Sequence, residues 1–225
     1  MNNIFTEIYE KSKWSNNNNT EYNGGSGPGS YLHYNIKSYV PFLKNFITMN
    51  NISSVVDLGC GDFVSGKYIY DNLNITYYGY DIYEKMINHH KNIYFNNTKY
   101  NFIHSDIFND RHEIINADLC ILKDVLMHWN INTINMFLSD IIESNKFKYI
   151  LIINCCGQIN DNTDINIGEW RQLSCEFQPL KNFNPIKIGY IFSNSQKEIS
   201  IVTNDKFRYP RYNNKYIRTI IPIQK

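Results

Sequence analysis

Several absences narrow the field before any motif is considered. No stretch approaches the ~20 uninterrupted apolar residues that a membrane-spanning helix needs. The first residues, MNNIFTEIYEKSKW, hold no apolar run between a basic start and a small-residue cleavage site, so a cytosolic protein is expected. Charge of one sign is also missing. With 22 Lys and Arg against 21 Asp and Glu, the net charge of +1 provides no general attraction to nucleic acid or to an anionic membrane. Five cysteines (Cys60, Cys120, Cys155, Cys156 and Cys175) are an odd number without metal-ligand spacing, which reads as small buried side chains in a reducing compartment, with no metal. There are no internal repeats.

What is present is a chain of 225 residues, enough for one domain with a full core and short for two. Asn, Ile, Lys and Tyr are over-used and Lys far exceeds Arg, the mark of an A/T-rich coding bias; the Asn-X-Ser/Thr sites carry no weight. Residues 1–30 are polar, with an asparagine run at 16–19 and the glycine-rich Asn23-Gly24-Gly25-Ser26-Gly27-Pro28-Gly29-Ser30. The glycine-rich part, Gly24 to Ser30, reads either as a lid over the ligand or as a plain linker. Ser30 is expected to cap a helix with Leu32, Ile36, Tyr39 and Leu43 at helical spacing, which Pro41 kinks or divides.

Strand-like runs at 54–57, 76–81, 102–106, 119–122 and 149–154 then alternate with helical stretches at 65–72, 84–92 and 125–144. Repeated strand–helix alternation predicts a doubly wound α/β domain, a mostly parallel sheet covered on both faces. Seven strands are expected, the last including an antiparallel member, with runs at 186–192, 198–203 and 216–221 competing for the final places. The domain spans 31–225, and the long polar stretch at about 155–185 reads as a functional loop over the acceptor.

The first four strands each end near an acid: Asp57, Asp81, Asp106 and Asp124. In an open parallel sheet ligands bind beyond the carboxyl ends of strands, so four acids there predict a cluster around a polar ligand. After the first strand comes Asp57-Leu58-Gly59-Cys60-Gly61-Asp62-Phe63. Glycines at 59 and 61 permit a tight turn and close approach to a ligand. Val64 stands where a dinucleotide site needs its third glycine, and no Lys-Ser or Lys-Thr follows as a phosphate loop requires.

Val55-Val56-Asp57-Leu58-Gly59-Cys60-Gly61 closely resembles the first motif of class I S-adenosylmethionine-dependent methyltransferases. Tyr80-Asp81-Ile82 resembles the segment carrying their ribose-binding acid, and Ser105-Asp106-Ile107 the segment that contacts adenine. The resemblance implies a seven-stranded Rossmann-like fold, S-adenosylmethionine as cofactor, and cofactor contacts from Asp57, Gly59, Cys60, Gly61, Asp81, Ile82, Ser105, Asp106, Ile107 and Lys123. Ser26-Gly27-Pro28-Gly29-Ser30, 122–129 (Leu-Lys-Asp-Val-Leu-Met-His-Trp) and Gly168-Glu169-Trp170-Arg171-Gln172-Leu173 are similar to a small branch found with glycan-assembly enzymes. That likeness implies a sugar or nucleotide-linked sugar as acceptor; the chain departs from the branch after Leu173.

Methyl transfer to a hydroxyl or amine needs alignment and a proton acceptor near neutral pKa. Asp124 and His128, four apart at the start of an expected helix, share one face and are the candidate pair, with His128 as base and Asp124 orienting it. The alternative is a polar niche for His128 and a helix cap from Asp124. Trp170 is expected to stack on the acceptor, with Arg171 forking onto a phosphate or carboxylate. Two competing functions remain open from sequence. A methyltransferase acting on RNA or a cap calls for a basic-aromatic groove, of which 206–212 is the only short stretch. A non-catalytic methyltransferase-like subunit calls for decay of the cofactor motifs, which are intact.

Overall fold

The computed structural model describes residues 1–16, 21–157, 159–203, 210–212 and 215. The expected strand at 216–221 and most of the basic-aromatic stretch at 206–212 lie outside the described residues.

The sheet follows from strands whose two faces are both apolar. β1 (Ser54–Leu58), β4 (Ala117–Lys123) and β5 (Phe147–Cys155) occupy its middle. Successive side chains of a strand point to opposite faces. Accordingly Val55, Leu119, Ile121 and Leu151 enter one core, while Val56, Leu58, Cys120, Leu122 and Ile152 enter the other. Two cores on one sheet explain why these strands carry near-continuous apolar runs. β2 (Thr76–Asp81) and β3 (Tyr100–His104) extend the parallel sheet on one side. β6 (Ile186–Phe192) and β7 (Gln196–Thr203) form a hairpin on the other, with β7 antiparallel to β5. The order is β3-β2-β1-β4-β5-β7-β6, seven strands in one α/β domain as expected.

α3 (Tyr39–Met49) and α4 (Gly66–Tyr70) help to fill the first core, and α6 (Ile131–Glu143) packs Ile134, Phe137, Leu138 and Ile141 into the second. α5 (Glu84–Ile93) lies against β3. Two expected helices are divided. The first appears as α2 (Leu32–Asn35) and α3, broken at residues 36–38, with Pro41 in the first turn of α3 where a missing N–H costs nothing. Ser30 does not cap it: its hydroxyl donates to Asp62 at 2.7 Å and lies 2.9 Å from Gly27 O.

The second expected helix, 125–144, breaks into a 3-10 turn at Leu126–His128 and α6. Asn130 begins α6 properly, its side chain accepting from Thr133 N at 2.8 Å. The polar-looking N-terminal segment also contains an unexpected helix, α1 (Asn2–Glu10). Its Phe5, Ile8 and Tyr9 are buried, and the spacing of Ile4, Phe5, Ile8 and Tyr9 was the available signal.

Candidate active site

Strand order reverses between β1 and β4, and a cavity of about 280 Å³ opens at their carboxyl ends. That is the edge where doubly wound sheets bind ligands. All four strand-end acids line it.

The turn after β1 is held by backbone. Gly59 N and Cys60 N both donate to Tyr80 O, and Gly61 N donates to Asp81 at 2.9 Å. Gly59 and Gly61 have φ of 82° and 56°, the left-handed region that favours glycine. Space demands glycine as well. A Cβ on Gly59 would stand 2.5 Å from Val125 Cγ2, and one on Gly61 would stand 2.5 Å from Ser26 Oγ. Buried His90 braces the turn from behind, its Nε2 donating to Gly61 O at 2.9 Å.

Asp81 is 5% exposed and accepts from Gly61 N and from Tyr83 N, one bond on each oxygen. A carboxylate oxygen has two lone pairs, so each retains one for a ligand. Burial raises its pKa, against the pull of those amides. Asp57 accepts from Tyr77 Oη at 2.9 Å; burial outweighs that bond and the nearby Lys123, and pushes it up to about 6. Asp106 accepts from the amides of Phe108 and Asn109 and pairs with the Met1 amino group at 3.1 Å. Ile82, Cys60 and Ile107 also face the cavity. Ser105 does not: it is buried with its hydroxyl on Asp110, and so braces the segment instead of touching a ligand.

The opposite wall has a different character. Asp124 sits at φ 58° just beyond β4, an uncommon conformation for a non-glycine residue and a frequent companion of functional sites. Lys123 Nζ donates to one of its oxygens at 2.7 Å and Lys197 Nζ to the other at 2.8 Å. Burial pushes Asp124 upward, but the two lysines outweigh it and hold the carboxyl at about 2. Lys123 also donates to Gly29 O, tying the N-terminal segment to the sheet. Lys197, 1% exposed on β7, donates to Cys155 Sγ at 3.1 Å too.

His128 does not pair with Asp124. The helical face that was to bring them together is absent, because Asp124 is left-handed and His128 ends a 3-10 turn. Its Nδ1 lies 2.8 Å from Glu169 O. A carbonyl only accepts, so Nδ1 carries the hydrogen and the neutral ring leaves Nε2 bare. Burial lowers its pKa, opposed by that hydrogen bond. Trp14 packs on the imidazole with ring centres 4.9 Å apart.

The N-terminal segment covers the cavity through α1, Trp14 and residues 26–30. Ser26 and Asp62 latch it: Asp62 N donates to Ser26 Oγ at 2.9 Å and Ser30 Oγ to Asp62 at 2.7 Å. Of the acceptor residues, Trp170 lines the cavity and is 55% exposed. Arg171 does not line it and is 6% exposed, so its expected placement toward the acceptor is corrected; the loop turns its side chain inward. Lys197 and Trp14 are the residues sequence reasoning missed. Lys197 stands directly before the strand-like run 198–203, the only signal for the first; nothing local marked the second.

No protein-family model matches the chain, and no curated protein matches it in sequence. Solved structures do match in fold. The mitomycin 7-O-methyltransferase MmcR aligns with a TM-score of 0.55 at 13% identity, over 72% of this chain and 53% of that one. An O-methyltransferase family protein from Burkholderia thailandensis gives 0.55 and 13%, over 74% and 56%. The methyltransferase domain of bacterial CtHen1-C gives 0.55 and 13%, over 75% and 97%. The chain thus spans about half the length of the first two and nearly all of the third. At such identity the likeness shows the fold alone: this is the class I methyltransferase fold.

Proposed function

We propose that the chain is an S-adenosylmethionine-dependent methyltransferase acting on a hydroxyl or amine of a sugar or nucleotide-linked sugar. One observation carries the cofactor reading. The cavity at the switch point is acidic on its β1–β3 side, where Asp57, Asp81 and Asp106 line it together with the glycine turn. A ligand bearing a sulfonium, an ammonium and a vicinal diol suits that wall, and the residues present fit it.

Asp81, with one lone pair left on each oxygen, accepts from both ribose hydroxyls. Ile82 and Ile107 flank the adenine, and Asp106 stands beside it, where the adenine amine takes the place of the Met1 amino group on Oδ2. Gly59, Cys60 and Gly61 let the amino-acid end approach the backbone, with Asp57 facing its ammonium and Lys123 its carboxylate. The cofactor, when bound, supplies an electrophilic methyl group. His128 takes the acceptor proton at Nε2, while Glu169 O fixes the opposite nitrogen. Asp124, held at about 2 by two lysines, is too weak a base at neutral pH and instead positions Lys123 and Lys197. Trp14 and Trp170 offer indole faces on which a sugar ring stacks. The latched N-terminal segment closes the site against water.

Calorimetry with S-adenosylmethionine tests the cofactor, and mass analysis of uronic acids, neutral sugars and nucleotide sugars after incubation with methyl-labelled cofactor tests the acceptor. Absence of binding overturns the reading. Transfer only to non-sugar hydroxyls keeps the enzyme and removes the sugar.

A further inference from the structure

The glycine turn after β1 is gripped by one unit of the fold, β2 with the helix that follows it, α5. Gly59 N and Cys60 N donate to Tyr80 O, Gly61 N donates to Asp81 Oδ2 at 2.9 Å, and His90 Nε2 donates to Gly61 O at 2.9 Å. Gly61 is thus held at its N–H by the end of β2 and at its C=O by α5. The ring of bonds closes through Asp81, whose other oxygen accepts from Tyr83 N at the start of α5. Asp62 N, in the same peptide group as Gly61 O, donates to Ser26 Oγ at 2.9 Å. That peptide group is therefore held at both ends by side chains from outside the turn.

The turn needs such holding. Gly59, Gly61 and Phe63 all have positive φ, and Phe63, at 54°, is a bulky residue in the left-handed region. Backbone of this kind persists only where its surroundings over-determine it. Glycine itself tolerates many conformations, so the bond from His90 selects one of them for Gly61. The surroundings of His90 call for a different kind of residue. It is 3% exposed, with the rings of Phe102 and Phe63 centred 4.9 and 6.2 Å away. An apolar side chain suits that niche, and a buried imidazole is costly unless it is hydrogen-bonded. Its bond to Gly61 O meets that need and satisfies a buried carbonyl in return. His90 does not line the cavity, so it acts through Gly61 and not on a ligand.

We propose that His90 is a positioning residue for the cofactor: by holding Gly61 O on the α5 side it fixes the glycine turn and, through Gly61 N, the carboxylate of Asp81. The inference rests on the cofactor reading, but the order of the turn is measurable on the protein alone.

The test compares wild type with three variants by calorimetry against S-adenosylmethionine, well below every melting temperature. His90→Leu fills the niche and loses the donor. His90→Gln offers an amide N–H in place of Nε2. Ile141→Ala, on α6 in the other core, loses stability without touching the cavity lining. H90L is expected to weaken cofactor binding by about tenfold or more, with H90Q within about threefold of wild type and I141A unchanged. Amide exchange in the free protein is expected to quicken at Gly61 and Asp62 in H90L and not in H90Q. An H90L affinity within about threefold of wild type, or a loss that I141A or H90Q shares, overturns the proposal and leaves His90 as packing. If H90L does not fold, H90M makes the same comparison, and failure of both to fold also overturns it. Wild type that binds no cofactor removes the cofactor reading and this inference with it, whereas a binding wild type with an indifferent H90L removes this inference alone.

Discussion

The two walls of the cavity are built in different ways. The wall from β1, β2 and β3 takes one acid from each strand: Asp57 lies within β1, Asp81 ends β2 and Asp106 follows β3 by two residues, and backbone amides hold Asp81 and Asp106. The wall from β4 onward is assembled from distant pieces. Lys197 reaches Asp124 across 73 positions, Glu169 O reaches His128 across 41, and Gly29 O reaches Lys123 across 94. The first wall is acidic; the second mixes two lysines, one clamped carboxylate and a neutral imidazole.

That contrast predicts separable failures. The largest is expected on the second wall: His128→Ala lowers turnover by ~10²–10⁴ with cofactor affinity unchanged. In the wild type burial lowers the imidazole pKa, so the bare base persists into mildly acidic solution and activity falls only below the ordinary histidine midpoint of about 6.5. Turnover across pH at saturating cofactor decides it, and a variant within about threefold of wild type at every pH removes the base assignment.

Lys197→Met comes next. It strands Asp124 with half its clamp and is expected to cost about 3–5 kcal/mol of stability, the scale for breaking a buried pair. Denaturant unfolding measures this; a small loss means that Lys123 suffices alone. On the first wall, Asp81→Ala should weaken cofactor binding by about 1.5–3 kcal/mol with the fold intact, as hydrogen bonds to a charged group are lost. An unchanged dissociation constant by calorimetry breaks the comparison at its best-supported point. Asp57 sharpens it: with its pKa at about 6, its carboxylate gains a proton as pH falls through that value, and cofactor affinity should fall with it. Asp57→Asn should flatten this dependence in calorimetry at several pH values. The smallest effect belongs to Trp170→Ala, half-exposed at the rim, which should leave stability within about 0.5 kcal/mol and raise only the acceptor KM.

The same division explains what was legible beforehand. Strands β1, β4 and β5 announce themselves as apolar runs, because a strand buried on both faces has little place for polar side chains. Gly59 and Gly61 are readable because left-handed backbone and close approach demand glycine whatever lies around them. The spacing of Asp124 and His128 misled for a related reason: a four-residue interval implies a shared face only if the backbone is helical, and here it is not. Ser105 was read by position; it does not line the cavity, and its hydroxyl is turned onto Asp110.

By itself the sequence determined the layered α/β architecture, the glycine turn and the row of acids at the strand ends, since apolar periodicity and backbone geometry are written in consecutive residues. Only the tertiary structure decided that Lys197 clamps Asp124, that Trp14 packs on His128, and that Arg171 turns inward while Trp170 lines the cavity. Those outcomes depend on which segments the sheet order brings together and on which partners satisfy each buried charge. Neither is encoded in the spacing of neighbours along the chain.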